Sequence, residues 1–152
     1  MVHRTARSDD DHLGKFNGLG GKLDKGEDVV AGARRELLEE ANLELVEVTL
    51  RGTIVWTGFG QSMEDWLGLI FVARPATTEI PTQNVEGELS WVRKSRLLQA
   101  CDGDVDVRTQ AGLPMWEGDR LFLPLLFDDN PAQFHGAMAY DGDQLLSWTY
   151  SR

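Results

Sequence analysis

Apolar and polar positions follow two periods along the chain, and the changes of period mark its elements. From Asp28 to Asn42 the apolar residues Val30, Ala33, Leu37 and Ala41 recur at helical spacing, which predicts an amphipathic helix with one core-facing stripe. Asn42 stands where that helix should stop, and asparagine is one of the few non-glycine residues that tolerates a left-handed cap. Extended segments are predicted at Val48 to Trp56, Trp66 to Ala73 and Leu89 to Val92. Met115 to Phe127 returns to helical spacing, with Pro124 placed to kink or bound it. Phe134 to Tyr140 and Leu145 to Tyr150 flank Asp141-Gly142-Asp143-Gln144, whose Asp-Gly pair predicts a terminal hairpin. Residues 101 to 112 are polar, glycine-containing and aperiodic, and read as a surface loop. The longest apolar stretch, Leu67 to Ala73, is too short to span a bilayer and reads as a buried strand.

The polar side of the first helix carries the candidate chemistry. At about 100° per residue, Glu36, Glu39 and Glu40 share one face. Like charges at that spacing repel, so the face either spreads into solvent or is neutralised by a cation, and carboxylate oxygens suit magnesium or manganese. Gly18, Gly20 and Gly21 precede the helix, where glycine lets backbone approach a ligand closely and a carbonyl join a metal shell. A solvated, charge-rich face would account for the glutamates alone. It leaves unexplained their coincidence with the glycines, the isolated Glu27 and Arg35.

Gly21, five residues, Glu27, seven residues, then Arg35-Glu36-Leu37-Leu38-Glu39-Glu40-Ala41-Asn42-Leu43 resembles the Nudix box of nucleoside diphosphate-X hydrolases. Asn42 departs from the pattern, because the family usually has glycine there. The resemblance implies an α/β fold, an α/β/α sandwich with a mixed central sheet, formed as a single domain over residues 1–152. It implies a Mg²⁺-dependent phosphoanhydride hydrolase, with Mn²⁺ able to substitute. Glu39 and Glu40 would be the principal metal ligands, joined by the Gly20 carbonyl, and Glu36 would be either a further ligand or the water-activating base. Glu86, five residues before Trp91, resembles a carboxylate that some members bring to the metal from a loop, with Glu88 as the neighbouring alternative. Glu27 and Arg35 resemble the ion pair that ties the loop to the helix, with Gly21 and Lys22 in supporting positions.

A wider order, Lys15-Phe16-Asn17-Gly18-Leu19-Gly20-Gly21-Lys22, Trp91, Met115-Trp116, Phe122-Leu123-Pro124 and Phe134-His135-Gly136, is similar to the MutT-homologue branch that sanitises oxidised purine nucleotides. That likeness implies cleavage of a nucleoside triphosphate, such as 8-oxo-dGTP or 2-hydroxy-dATP, to the monophosphate and pyrophosphate. Asn17 would bond the purine edge and Trp116 would stack on it, although Asn17-Gly18 is also an ordinary turn signal and Trp116 could be core. Trp56 would form another wall or a core position. The branch normally carries two adjacent aspartates after the tryptophan; Asp119 matches one, whereas Gly118 has no side chain to replace the other. The alternatives are a Nudix hydrolase of another nucleoside diphosphate-X substrate and a non-catalytic nucleotide-binding module. Family members usually have a complete strand before the Asn-Gly-Leu-Gly-Gly turn, yet the sequence starts at Met1-Val2-His3-Arg4. The first strand is therefore expected to be incomplete, with a homodimer contact, a rearranged strand or a misplaced start in compensation, and Ser8-Asp9-Asp10-Asp11 as loop.

Composition agrees with a small enzyme. The 152 residues are one domain's worth, and 41% hydrophobic content with five Trp and six Phe can build a core. One cysteine, Cys101, excludes an intramolecular disulfide, and the lack of an N-terminal apolar run points to the cytoplasm. A net charge of -10 argues against polymeric nucleic acid as partner. It admits a small nucleotide, because cations held between carboxylates and phosphates invert the local field. His3, His12 and His135 are scattered and no serine stands in a nucleophile elbow, which disfavours covalent catalysis.

Overall fold

The computed structural model describes residues 1–152. Along the chain run β1 (Val2–Arg4), β2 (Phe16–Asn17), α1 (Val29–Ala41), β3 (Leu45–Phe59), β4 (Glu64–Pro75), β5 (Gly87–Leu89), α2 (Lys94–Ala100), α3 (Val105–Ala111), α4 (Glu117–Phe122), β6 (Phe134–Gly142) and β7 (Gln144–Ser151). A 3-10 turn, Leu123–Leu126, follows α4. The strands form an antiparallel three-stranded sheet, β2-β1-β5, and a mixed four-stranded sheet, β4-β3-β6-β7, in which β3 and β6 are parallel. No helix is long and apolar enough to cross a membrane.

The chain clusters into two compact units, Met1–Thr49 with Ala73–Lys94, and Leu50–Val72 with Ser95–Arg152. In the first, β1 is only three residues long but central: Val2 pairs with Asn17 on one side and Leu89 on the other. The Met1 ammonium donates to the Ser90 carbonyl at 2.9 Å. The first strand is short, in line with the expectation of an incomplete one, and its backbone is paired on both sides. Val2, Ala41, Leu43 and Leu89 form this unit's core. In the second unit, Ile54, Phe122, Phe134, Met138 and Tyr140 form a larger one, with Trp56, Phe59 and Trp148 packed against it.

Helix α1 matches the periodic segment between its caps. Asp28 accepts from the Val30 and Ala31 amides at 2.9 and 3.0 Å, satisfying two of the helix's free donors. Asn42 closes the helix in the left-handed conformation, φ 53° and ψ 37°. The core stripe is corrected at its start: Val30 is exposed and Gly32 is buried instead. A Cβ at Gly32 would strike the Leu23 side chain, so the first turn presses on the loop before it and turns Val30 outward.

The hairpin forms with Asp141 opposite Gln144. The segment around Pro124 ends α4 and tightens into the 3-10 turn, as proline in a helical run should make it do. Other expectations fail: the apolar run Leu67 to Ala73 is a strand but not a buried one, because Leu67 is exposed and the rest is at most half-buried. The strand placed at Leu89 to Val92 lies earlier, at Gly87–Leu89. The stretch 101 to 112 is not all loop, because Asp104 caps α3 at one end and Gly112, at φ 61°, closes it at the other. Seven residues, too few for two full turns, give capping rather than periodicity the decisive role.

Candidate active site

Within the first unit, Arg35 organises the acidic face of α1. Its guanidinium holds both Glu27 oxygens, at 3.0 and 2.9 Å, and donates to the Lys22 carbonyl at 3.1 Å. This fork fixes the 22–27 loop to the helix with the planar, two-point geometry that only arginine offers. The same guanidinium reaches Glu36 at 2.8 Å and Glu39 at 3.3 Å. Glu27, hydrogen-bonded to Arg35, is held below the usual carboxylate range, and Arg35 is raised in turn.

Glu40 turns the other way. Its carboxylate accepts the Gly20 amide at 2.9 Å, in the loop where glycine sits at φ 138°. Burial pushes Glu40 up to about 7, and the charges of Glu86 and Glu36 add to that rise, against the Gly20 amide and Arg4. Gly21 lies so close to Glu36 that a Cβ there would stand 2.6 Å from its Oε1. Of the two loop carboxylates, Glu86 is the one that interacts with Glu40, whereas Glu88 points to solvent, 4.0 Å from His3.

Glu86 is placed by residues that sequence reading missed. The Asn84 carboxamide oxygen accepts the Glu86 and Gly87 amides at 2.9 and 3.1 Å, an Asx turn, and its amide nitrogen donates to the Glu40 carbonyl at 3.3 Å. Arg4 pairs with Glu86 and bonds Asp10 at 2.7 Å. The Asn-Val-Glu-Gly string at 84–87 carried a turn signal; the tie to Arg4, 82 positions away in sequence, carried none.

No three His, Cys, Asp or Glu side chains gather into a ready-made metal cluster. Arg35 draws Glu36 and Glu39 toward itself while Glu40 faces Gly20. The donor set nevertheless fits a hard divalent cation: a half-buried Glu40 with Glu36 and Glu86 in electrostatic reach holds negative charge that Arg4 only partly offsets. Asn17 is half-buried; its amide nitrogen lies 3.2 Å from His12 Nδ1, while its carbonyl oxygen is buried without a hydrogen-bond partner. An orphaned buried acceptor costs free energy unless a ligand supplies the donor.

Within the second unit, Trp116 precedes α4 and meets Phe59 edge-on at 5.2 Å between centroids. Asp119 accepts the Trp116 amide, and burial pushes it up to about 7. Trp56 packs edge-on against Phe122 at 6.2 Å and over Gly68, where a Cβ would strike its ring, so its packing is that of a core residue. His135 sits on β6 with Nδ1 2.9 Å from the Thr53 hydroxyl, a structural contact. Burial pushes the Cys101 thiol up to about 11, away from the reactive thiolate.

A capped helix carrying glutamates beside a glycine loop, in a chain that also folds a mixed sheet, defines a phosphoanhydride hydrolase of the Nudix class. The NUDIX domain family model matches residues 1–108, and the chain belongs to that family. It is 26% identical over 137 residues to the oxidized purine nucleoside triphosphate hydrolase of Mus musculus, covering 90% of this chain and 77% of that protein. The corresponding protein of Danio rerio is 31% identical over 133 residues, covering 88% and 74%. The crystal structure of the mutator MutT protein from Bacillus halodurans superposes with a TM-score of 0.69 at 26% identity, covering 87% of this chain and 79% of that one.

Proposed function

We propose that this Nudix hydrolase, acting as one domain over residues 1–152, cleaves nucleoside triphosphates to the monophosphate and pyrophosphate with Mg²⁺ or Mn²⁺, and that its substrates are oxidised purine nucleotides such as 8-oxo-dGTP or 2-hydroxy-dATP. The observation that carries this reading is the placement of Glu40, half-buried and bonded to the Gly20 amide with Glu36 and Glu86 acting on it. Relatives named for oxidised purine nucleotides support the substrate class.

Glu39, Glu40 and the Gly20 carbonyl would hold the cation, with Glu86 contributing from its Asx turn. Bound there, a divalent ion supplies charge neutralisation at the phosphates and a lowered pKa for an attacking water. Glu36 either completes the ligand set or takes the proton from that water as it attacks phosphorus and the phosphoanhydride bond breaks. Arg35 orients Glu36 and Glu39 and anchors the loop through Glu27 and Lys22. In the first unit Asn17, with its unpartnered oxygen, offers an acceptor to an N–H donor; in the second, Trp116 offers a stacking face and Asp119 a carboxyl with acceptor capacity beyond the Trp116 amide.

Incubation with Mg²⁺ and 8-oxo-dGTP, 2-hydroxy-dATP, dGTP, ADP-ribose and diadenosine polyphosphate, followed by chromatography of the products, tests the proposal. Selective release of an oxidised purine monophosphate with pyrophosphate is expected. Preference for ADP-ribose or the dinucleotide would discard the substrate class while keeping the reaction.

A further inference from the structure

Position 118 lacks a side chain because its place is taken. A Cβ built on Gly118 would run into the Tyr140 hydroxyl oxygen and come within 2.6 Å of Met138 Sδ, and both are buried core residues. The Gly118 amide donates to that hydroxyl. Tyr140 thus brings a polar group from β6 to the first turn of α4, immediately beside Asp119. The two are electrostatically coupled: burial first and then the Asp119 charge hold the Tyr140 proton on, up to about 12. Aromatic rings frame the pair, with Phe59 edge-on to Tyr140 at 5.0 Å and to Trp116 at 5.2 Å. A hydroxyl that accepts from a backbone amide keeps its own proton for a second partner, and a carboxylate bonded to one amide keeps further acceptor capacity.

We propose that the Tyr140 hydroxyl supplies the base-reading group that a side chain at position 118 would otherwise provide, donating to the ligand while Asp119 accepts. Together they select a purine with a 6-oxo group over one with a 6-amino group, and so favour 8-oxo-dGTP over 2-hydroxy-dATP, which keeps its 6-amino group. A donor beside an acceptor complements the C6=O and N1–H edge of an oxopurine, whereas an aminopurine presents an acceptor and a donor in the opposite order. The inference rests on the purine-nucleotide reading above and adds Tyr140 to it as a specificity-determining residue.

Calorimetric titration with dGMP, dAMP and the 2-aminopurine deoxynucleoside monophosphate, without metal, separates binding from turnover. The unmodified protein is expected to bind dGMP about tenfold more tightly than either other nucleotide, the usual scale for one desolvated hydrogen bond. Y140F, checked for folding by its melting temperature, is expected to lose most of that ratio while binding dAMP nearly as before; a purely structural role would weaken all three together. Equal affinity for dGMP and dAMP in the unmodified protein, or a ratio that survives in Y140F, overturns the proposal and leaves the purine reading intact. Binding none of the three purines would overturn both. The 2-aminopurine comparison needs no variant, so the proposal is tested even if Y140F fails to fold.

Discussion

Arg35 touches more of the acidic face than any glutamate does, and its substitution separates positioning from charge. R35K keeps a cation but cannot grip both Glu27 oxygens, the Lys22 carbonyl and Glu36 together. Its kcat is expected to fall about ten- to a hundredfold, the range for residues that orient ligands; full activity in steady-state assays would show that the fork is dispensable. Asp119 gives a pH signature. Its neutral form is favoured in the fold, so its contribution to stability is complete below its ordinary value of 3.8 and is lost as pH rises through about 7. The melting temperature of the unmodified protein, relative to D119N, should therefore fall between pH 4 and pH 8; a difference independent of pH would refute the assignment. Residue identities in the box were legible because their spacing is local. Arg4 and Tyr140 were not, since their partners Glu86 and Gly118 are distant in sequence.

Among the elements, α1 was the most legible because its ends are written in side chains. Asp28 bonds two amides and Asn42 takes the left-handed cap. D28A should cost about 1 kcal/mol. N42A should cost a similar amount, roughly 1 kcal/mol, and N42G close to none, because glycine has no Cβ to oppose that conformation while alanine keeps the Cβ and lacks the polar side chain that lets asparagine tolerate it. Urea denaturation checks all three, and equal stability of N42A and N42G would contradict the cap. Helix α3 escaped the periodicity reading although Asp104 and Gly112 bracket it in the same way. Its caps were visible, but too few residues lie between them to show a stripe. For β5, the three-residue strand is fixed by pairing with β1 and by the Asn84 turn rather than by its own composition.

At the scale of the whole molecule, a net charge of -10 opposes the approach of an anionic nucleotide. With Mg²⁺ saturating, kcat/KM should rise when ionic strength increases from low values, as screening weakens that repulsion; a fall would mean that a local positive field dominates capture. The class of fold was legible from the alternation of strands with one strongly capped helix and from the box itself. The division into two compact units was not, because it depends on which side chains form each core: Val2 with Leu89 in one, Ile54 with Phe134 and Met138 in the other.

The measurement that bears most directly on this account is hydrolysis of 8-oxo-dGTP by the unmodified protein and by E40Q across a Mg²⁺ titration. The account predicts Mg²⁺-dependent release of 8-oxo-dGMP and pyrophosphate, reduced in E40Q by roughly a hundred- to a thousandfold with the fold retained. Turnover that ignores Mg²⁺, or that survives in E40Q, would contradict it.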